Sequence, residues 1–129
     1  MRHVVHRDIK PRNVLVAGGD DDGDHRVLKI TMSLAEPPPY GQAGTLRYEA
    51  PEMLLQMPEY DALVDTWSLG CVMAELVAGR PLFTQRREEA QLVAIFHLLG
   101  VPDGAAWPEF SATEFARNGN CAGAPAGEG

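Results

Sequence analysis

Two stretches of the chain carry apolar residues at helical spacing. The stretch DALVDTWSLGCVMAELVAG predicts a helix over residues 63–78, which ends at Gly79 and Pro81. Its apolar residues fall on several faces, so we expect other elements to enclose it. The stretch EEAQLVAIFHLLG predicts a second helix that begins at Glu88, where acidic side chains suit the helix dipole, and ends at Gly100.

Shorter apolar runs near the N-terminus predict a β-hairpin. NVLVA, residues 13–17, is followed by two glycines, and HRVLKI, residues 25–30, forms the second predicted strand. The acidic connection DDDGD does not match a calcium-binding loop, because the sixth position counted from Asp20 is His25 and not glycine. We interpret this connection as a solvated turn.

Two further segments have compositions typical of loops or disorder. A short helix is predicted between the first loop and the main helix. Residues 31–48 lack periodicity and contain three consecutive prolines and two glycines, which predicts an extended loop. Residues 50–57, APEMLLQM, predict a short helix with Pro51 in its first turn. Residues 118–129 are rich in Gly, Ala and Pro and are predicted to be a disordered tail.

The composition narrows the class of protein. The 129 residues are 45% hydrophobic and 22% charged with a formal net charge of -7, which fits one globular domain. The negative charge argues against a nucleic-acid partner. Cys71 and Cys121 lack metal-binding spacing, and we interpret them as thiols of an intracellular protein of the nucleus or cytoplasm. No apolar run is long enough to predict a membrane span.

The string HRDIKPRN, residues 6–13, carries the most specific chemistry. It resembles the catalytic loop of eukaryotic protein kinases, H-R-D-x-K-x-x-N. Phosphoryl transfer needs a carboxylate, a cation and a metal-binding oxygen close together, and one loop supplies all three here. The resemblance implies that Asp8 orients the substrate hydroxyl, Lys10 steadies the transferred phosphoryl and Asn13 binds magnesium.

Further strings follow in the family's order. GTLRYEAPEML resembles the end of the kinase activation segment, where Thr45 matches a threonine that contacts the catalytic Asp and Lys, and Glu52 is the acid of A-P-E. YDALVDTWSLGCVMAEL resembles the central helix of the C-lobe, where Asp65 matches the acid that holds the catalytic loop. GRPLF and EEAQLVAIFHLLGVPD resemble the cyclin-dependent kinase group, and EPPPY suggests its plant F group.

The resemblance implies a fold class and a domain organisation. The expected fold is mainly α with a short β-hairpin, a partial kinase C-lobe over residues 1–117 with no N-lobe. It contains the catalytic loop, the activation segment, the central helix and the following helix. Such a fragment leaves the central helix short of neighbours, so we expect it to be unstable, to aggregate, or to need a partner.

The activation segment departs from the group pattern at two positions. Tyr40 stands five residues before Thr45, where these kinases usually carry a phosphorylated threonine. Arg7 matches the family's phosphate-reading arginine, so phosphorylated Tyr40 would have a partner there. We favour the alternative that Tyr40 is an ordinary loop aromatic. Arg47 replaces a usual aromatic and is expected to alter the substrate-proline pocket.

The magnesium-binding acid of the family is not found after the second strand. Where kinases carry D-F-G, LKI is followed by TMS, residues 31–33, either as a substitution or through a deletion. Two neighbouring acids are candidate replacements for that acid. Asp24 lies roughly 20 Å back along the strand, too far for a metal contact. Pro37 restricts the backbone conformation of Glu36. The metal contact of Asn13 is therefore expected to be vestigial.

The implied function is serine/threonine kinase activity of the cyclin-dependent type, inactive in this truncated chain. ATP and Mg²⁺ are the implied cofactors, yet the 129 residues contain no Gly-rich phosphate loop and no V-A-I-K lysine, so we expect neither to bind this chain alone. The implied partners are a protein substrate or a cyclin-type regulator. Two alternatives stay open: a non-catalytic interaction module and an incomplete gene product.

The acid of A-P-E is expected to be solvated. In the family, an arginine from the last helices pairs with this acid, and those helices have no counterpart in the 129 residues. Arg80 and Arg117 are the remaining candidate partners. Because a buried unpaired carboxylate is costly, Glu52 is predicted to face water.

Overall fold

The computed structural model describes residues 5–18, 26–31 and 46–120, and these are mainly helical with one antiparallel hairpin, which confirms the predicted fold class. The elements in chain order are β1 (Val14–Ala17), β2 (Val27–Ile30), α1 (Pro51–Leu54), α2 (Leu63–Ala78), α3 (Glu88–Leu99), α4 (Pro108–Ser111) and α5 (Glu114–Arg117). Single 3-10 turns, Pro11–Asn13 and Leu46–Tyr48, precede β1 and α1.

The two long helices have the predicted bounds. α2 runs from Leu63 to Ala78, and Gly79 follows it in the left-handed conformation with φ 71°. The Gly79 N–H donates to the Glu75 carbonyl at 2.8 Å, which closes the last turn. A residue with a Cβ atom is strained at that φ, so glycine is the residue that fits there.

The short elements are shorter than predicted. β1 begins at Val14 and not at residue 13, because Asn13 completes the preceding 3-10 turn, and β2 begins at Val27. α1 covers Pro51–Leu54 and not residues 50–57. Gln56 takes a left-handed conformation with φ 53°, and this ends the helix.

The core contains two short helices that the sequence pattern did not predict. α4 contributes Phe110 and α5 contributes Phe115, whose rings lie 5.1 and 5.9 Å from the ring of Phe96 on α3. These contacts fix the C-terminal helices against α3. Thr113 begins α5, because its hydroxyl oxygen accepts a hydrogen bond from the Ala116 N–H at 3.2 Å.

One side of α2 lies open. Its inner side chains, Val64, Cys71 and Val72, are buried. Its outer face, defined here as Leu69, Met73, Leu76 and Val77, is exposed, with Val77 91% accessible. The expectation that other elements enclose α2 is therefore wrong for the described residues, because no described element packs on this face. The open face agrees with the expectation that the fragment leaves the central helix short of neighbours.

The hairpin is exposed as well. β1 and β2 pair in antiparallel register, with Val14 opposite Ile30 and Ala17 opposite Val27. All four residues of β2 are exposed, and β1 is also largely exposed. The hairpin thus presents apolar side chains on the surface of the described structure.

Cys71 is buried in the core, so its reactivity can be used to test whether the chain is folded. Its thiol is 3% exposed, and burial raises its pKa to about 11. The thiolate is the form that attacks alkylating reagents, so a folded chain should protect this residue. Cys121 lies outside the described residues.

Residues 118–120 form a turn after α5, and the predicted tail beyond them lies outside the described residues, so its disorder stays a prediction. In the described part of the chain, no helix is long and apolar enough to cross a membrane.

Candidate catalytic loop and its supports

Three predicted catalytic side chains meet at one loop. The Lys10 ammonium Nζ lies 3.0 Å from Asp8 Oδ1, and the two side chains are only 19% and 21% exposed. The Asn13 amide Nδ2 donates to the Asp8 backbone carbonyl at 2.7 Å and to Asp8 Oδ2 at 3.1 Å. The loop therefore presents one carboxylate with a cation on one oxygen and an amide on the other.

The 3-10 turn positions the amide of this group. Pro11 begins the turn, where its fixed φ is compatible and its missing N–H costs no hydrogen bond. The Asn13 N–H donates to the Lys10 carbonyl at 2.9 Å, and this bond turns the buried Asn13 side chain back toward Asp8. The spacing of the three residues thus follows from one tight turn.

Asp65 at the start of α2 supports the same loop, although it lies 59 residues after His6 and 58 after Arg7 in the sequence. Its carboxylate oxygens accept hydrogen bonds from the His6 N–H at 2.7 Å and from the Arg7 N–H at 2.8 Å. Arg7 has φ 65°, a conformation that a non-glycine residue adopts only at a cost of about 1–3 kcal/mol. The two charge-assisted bonds offset this cost and fix the loop on the helix.

Thr31 occupies the position after β2 where the family's acid is expected. Its N–H donates to the Asn13 carbonyl at 2.8 Å, and its carbonyl accepts a hydrogen bond from His6 Nε2 at 2.9 Å. The side chain supplies a hydroxyl that lies 3.4 Å from the same Asn13 carbonyl. Position 31 is therefore adjacent to the catalytic loop, and it carries no carboxylate.

A resident metal does not fit these side chains. Among the described residues, no three His, Cys, Asp or Glu side chains lie close enough together to hold a metal ion. Magnesium favours carboxylate oxygens in octahedral geometry. The oxygens of Asp8 and Asn13 alone make a poor set for that ion.

Tyr48 and Ser68 fix the end of the activation segment to α2. The Ser68 hydroxyl donates to the Tyr48 carbonyl at 2.6 Å, and the Tyr48 hydroxyl donates to Glu75 Oε2 at 2.6 Å. Burial and this bond to the Glu75 carboxylate raise the pKa of Tyr48 to about 12. The sequence offered no signal for these contacts, because the partners are 20 and 27 residues apart.

Glu49 is a half-buried acid that the sequence analysis did not single out. It borders a small cavity together with Asp8, Tyr48 and Met53. Burial raises the pKa of the Glu49 carboxyl, and the negative charges of Glu88 and Asp8 raise it further. The Glu49 carboxyl thus borders the same small cavity as the candidate catalytic Asp8.

This raised pKa predicts that Glu49→Gln stabilises the protein above acidic pH. The folded state binds the Glu49 proton more tightly than the unfolded state, so wild-type stability falls as pH rises above the ordinary value of 4.5. The test uses the natural polypeptide, meaning the protein as its organism makes it. Its melting temperature should rise with this substitution at pH 7.5 and not at pH 4.

Glu89→Gln is the matched control, since it removes the same charge from an exposed residue of α3. It should raise the melting temperature at neither pH value, because its carboxylate lies in the first turn of α3, where negative charge is stabilising. A destabilised Glu49→Gln protein at pH 7.5 would contradict the argument.

Among the remaining predicted site residues that the structure describes, Arg7 and Glu52 direct their side chains to other contacts or to none. Thr45 and Tyr40 lie outside the described residues. The Arg7 guanidinium lies 5.4 Å from the ring centre of Tyr60. Glu52 is half-buried and forms no ion pair with any other described residue, including Arg80 and Arg117.

The protein kinase domain model matches residues 1–114 of the chain. The chain belongs to the protein kinase family. It is 47% identical over 122 residues to the putative cyclin-dependent kinase F-2 of Oryza sativa subsp. japonica, an alignment that covers 92% of this chain and 36% of that protein. The predicted resemblance to the cyclin-dependent kinase group is thereby confirmed.

Two other kinases are also more than 40% identical to most of this chain. Cyclin-dependent kinase G1 of Arabidopsis thaliana is 42% identical over 112 residues, 84% of this chain and 18% of that protein. Mitogen-activated protein kinase HOG1 of Wallemia muriae is 41% identical over 100 residues, 77% of this chain and 35% of that protein. This kinase chain therefore spans about a third or less of the length of these relatives.

Proposed function

We propose that residues 1–129 supply the substrate-hydroxyl side of the active site in a serine/threonine kinase of the cyclin-dependent type. The observation that supports this most directly is the Asp8 carboxylate, held between the Lys10 ammonium at 3.0 Å and the Asn13 amide at 3.1 Å. A carboxylate fixed in this way can accept the proton of a substrate serine or threonine hydroxyl.

Each side chain has a distinct role in this proposal. Asp8 orients the serine or threonine hydroxyl and accepts its proton as the hydroxyl oxygen bonds to the γ-phosphorus of ATP and ADP leaves. Lys10 places a positive charge where the transferred phosphoryl group carries negative charge. Asn13 keeps the carboxylate in place through its two hydrogen bonds to Asp8. Asp65 positions the loop and does not contact the substrate.

We also propose that residues 1–129 do not catalyse transfer by themselves. Residues 1–129 contain neither the Gly-rich loop nor the strand lysine with which this family holds ATP, so transfer needs a part of the natural polypeptide that supplies them. The position next to Asn13 that would supply the magnesium-binding acid carries Thr31, which weakens metal stabilisation in either protein. Metal ions contribute several kcal/mol to the stabilisation of charge in such transition states.

A phosphorylation assay tests this proposal. Residues 1–129 and the natural polypeptide are incubated with radiolabelled ATP, Mg²⁺ and a generic basic protein substrate. Residues 1–129 should transfer no phosphate. The natural polypeptide should phosphorylate serine or threonine, and Asp8→Asn should lower its rate about 100-fold or more.

Two controls make the result interpretable. Asp61→Asn alters a carboxylate that accepts a bond from the Leu63 N–H, away from Asp8, and should leave the rate within a few-fold. Transfer by residues 1–129 that is lost in Asp8→Asn would contradict the proposed inactivity.

A second function, a non-catalytic interaction module, is favoured by the hydroxyl of Thr31 in the place of the acid. A folded natural polypeptide that transfers no phosphate, with magnesium or with manganese, would support that function over the kinase. Protection of Cys71 from alkylation establishes that the tested protein is folded.

A further inference from the structure

Glu49 has no role in the proposed function, although it borders the same cavity as Asp8. It directly follows the Leu46–Tyr48 turn. The cavity has a volume of about 10 Å³, which is room for about one water molecule. Since both residues line a space of this size, a peptide whose hydroxyl lies at Asp8 also passes Glu49.

The described residues do not compensate the charge of Glu49. Burial raises the pKa of its carboxyl, the negative charges of Glu88 and Asp8 raise it further, and no cation among the described residues lowers it. Arg7 borders the same cavity but forms no ion pair with Glu49. The Lys10 ammonium lies on Asp8, at 3.0 Å. A negative charge therefore stays without a positive partner in this part of the structure.

The Glu49 side chain can be reached from outside the protein. The residue is half-buried and not enclosed, and neither of its carboxylate oxygens is a fully buried atom without a partner. Partly buried charges are screened by salt much less than exposed ones. A cation that approaches Glu49 from solvent is therefore attracted more strongly than it would be at an open surface.

We propose that Glu49 selects substrates that carry an arginine or lysine next to the serine or threonine to be phosphorylated. The inference rests on the proposed function, because it needs the substrate hydroxyl at Asp8. Successive residues of an extended peptide advance by about 3.3 Å, so the neighbours of the hydroxyl residue stay in the vicinity of Asp8 and of the cavity. A basic neighbour supplies the cation that the described residues do not supply.

Charge decides between the possible neighbours. An acidic or phosphorylated neighbour would bring a further negative charge to Glu49, whose pKa is already raised by Glu88 and Asp8, and would be repelled. An apolar neighbour would cover the half-buried Glu49 carboxylate without pairing with it, at a desolvation cost. A basic neighbour avoids both costs.

Peptide phosphorylation by the natural polypeptide tests this proposal. Three peptides share one serine and carry arginine, alanine or glutamate on both sides of it. At low salt, kcat/KM for the arginine peptide should exceed that for the alanine peptide about fivefold, and the glutamate peptide should be the poorest substrate. Glu49→Gln should bring the arginine-to-alanine ratio within about twofold by raising KM for the arginine peptide. Glu49→Lys should favour the glutamate peptide over the arginine peptide.

The matched control protein loses one charge elsewhere. Glu89→Gln removes a carboxylate from an exposed residue that does not border the cavity, and it should keep the preference for the arginine peptide. Because both peptides are measured on the same protein, a loss of folded protein cancels in the ratio. Equal loss of the preference in Glu49→Gln and Glu89→Gln would show attraction to net charge alone and overturn the proposal. A preference that persists in Glu49→Gln, or equal values for the two peptides on the wild type, would also overturn it.

Peptide binding separates this inference from the proposed function. Fluorescein-labelled arginine and alanine peptides, with a further alanine in place of the serine, are followed by fluorescence anisotropy with the natural polypeptide. If that polypeptide transfers no phosphate, the proposed function fails, but tighter binding of the arginine peptide that is lost in Glu49→Gln still supports recognition by Glu49. Equal binding of the two peptides by the inactive protein, while Cys71 stays protected from alkylation, overturns this inference as well.

Discussion

Asp65→Ala is expected to detach the catalytic loop from α2 and, under the proposed function, to abolish phosphoryl transfer by the natural polypeptide. The Asp65 carboxylate holds the His6 and Arg7 N–H groups at 2.7 and 2.8 Å, and hydrogen bonds to charged groups contribute roughly 1.5–3 kcal/mol each. Because the second bond is exposed, we expect a loss of about 2–4 kcal/mol in the free energy of unfolding. Arg7 also loses the contacts that keep it at φ 65°.

Hydrogen–deuterium exchange of the natural polypeptide measures this effect at the loop. The amides of His6 and Arg7 should exchange about 100-fold faster in Asp65→Ala, the factor that corresponds to the loss of about 2.7 kcal/mol of local protection. Asp65→Asn keeps one acceptor oxygen and should have an intermediate effect. Denaturant unfolding gives the global stability of the same proteins.

Asp61→Ala provides the matched control for Asp65→Ala. Asp61 is also a carboxylate at the start of α2, but it accepts only the local bond from the Leu63 N–H at 2.8 Å. Its removal should cost about 1 kcal/mol, as for the loss of a helix cap, and leave His6 and Arg7 protected. Fast exchange at the loop in Asp61→Ala, or slow exchange in Asp65→Ala, would contradict the assignment.

The elements that the sequence predicted are those with a local cause. α2 and α3 begin and end where expected because periodicity, first-turn acids and terminal glycines act within a few residues. α4 and α5 were missed because four residues are too few for a period of 3.6 to show. Their helical structure depends on packing of Phe110 and Phe115 against Phe96, which are distant in the chain.

The candidate site was predictable to a similar extent. Asp8, Lys10 and Asn13 were identified from one string of eight residues, and the structure brings their side chains together. Glu49 was missed because its raised pKa arises from burial and from Glu88, and no local pattern reports either.

Residues 1–129 produced alone are expected to show no cooperative thermal transition. Leu69, Met73, Leu76 and Val77 are exposed together on α2, and burial of each such side chain normally contributes roughly 1.5–3 kcal/mol. The total for this face is comparable with the whole stability of a typical domain, about 5–15 kcal/mol. The apolar side chains of the hairpin are also exposed, so they too contribute little burial energy to the stability of residues 1–129.

Calorimetry and thiol labelling check this expectation in the Cys121→Ser protein, in which Cys71 is the remaining cysteine. The isolated residues should melt gradually, bind a hydrophobic dye, and leave Cys71 open to alkylation, in contrast to the natural polypeptide. A sharp, reversible transition of a monomeric sample of residues 1–129 would contradict the expectation.

Two valines on α2 test whether the open face is covered in the natural polypeptide. Val72 is 4% exposed and Val77 is 91% exposed within the described residues. Val72→Gln should destabilise the natural polypeptide by about 2–4 kcal/mol, because it buries an amide in the core. If other parts of that polypeptide or a partner cover the face, Val77→Gln should cost about 1–3 kcal/mol there as well. A neutral Val77→Gln would mean that the face stays in water in the working protein, and that the stability lost on it is supplied elsewhere.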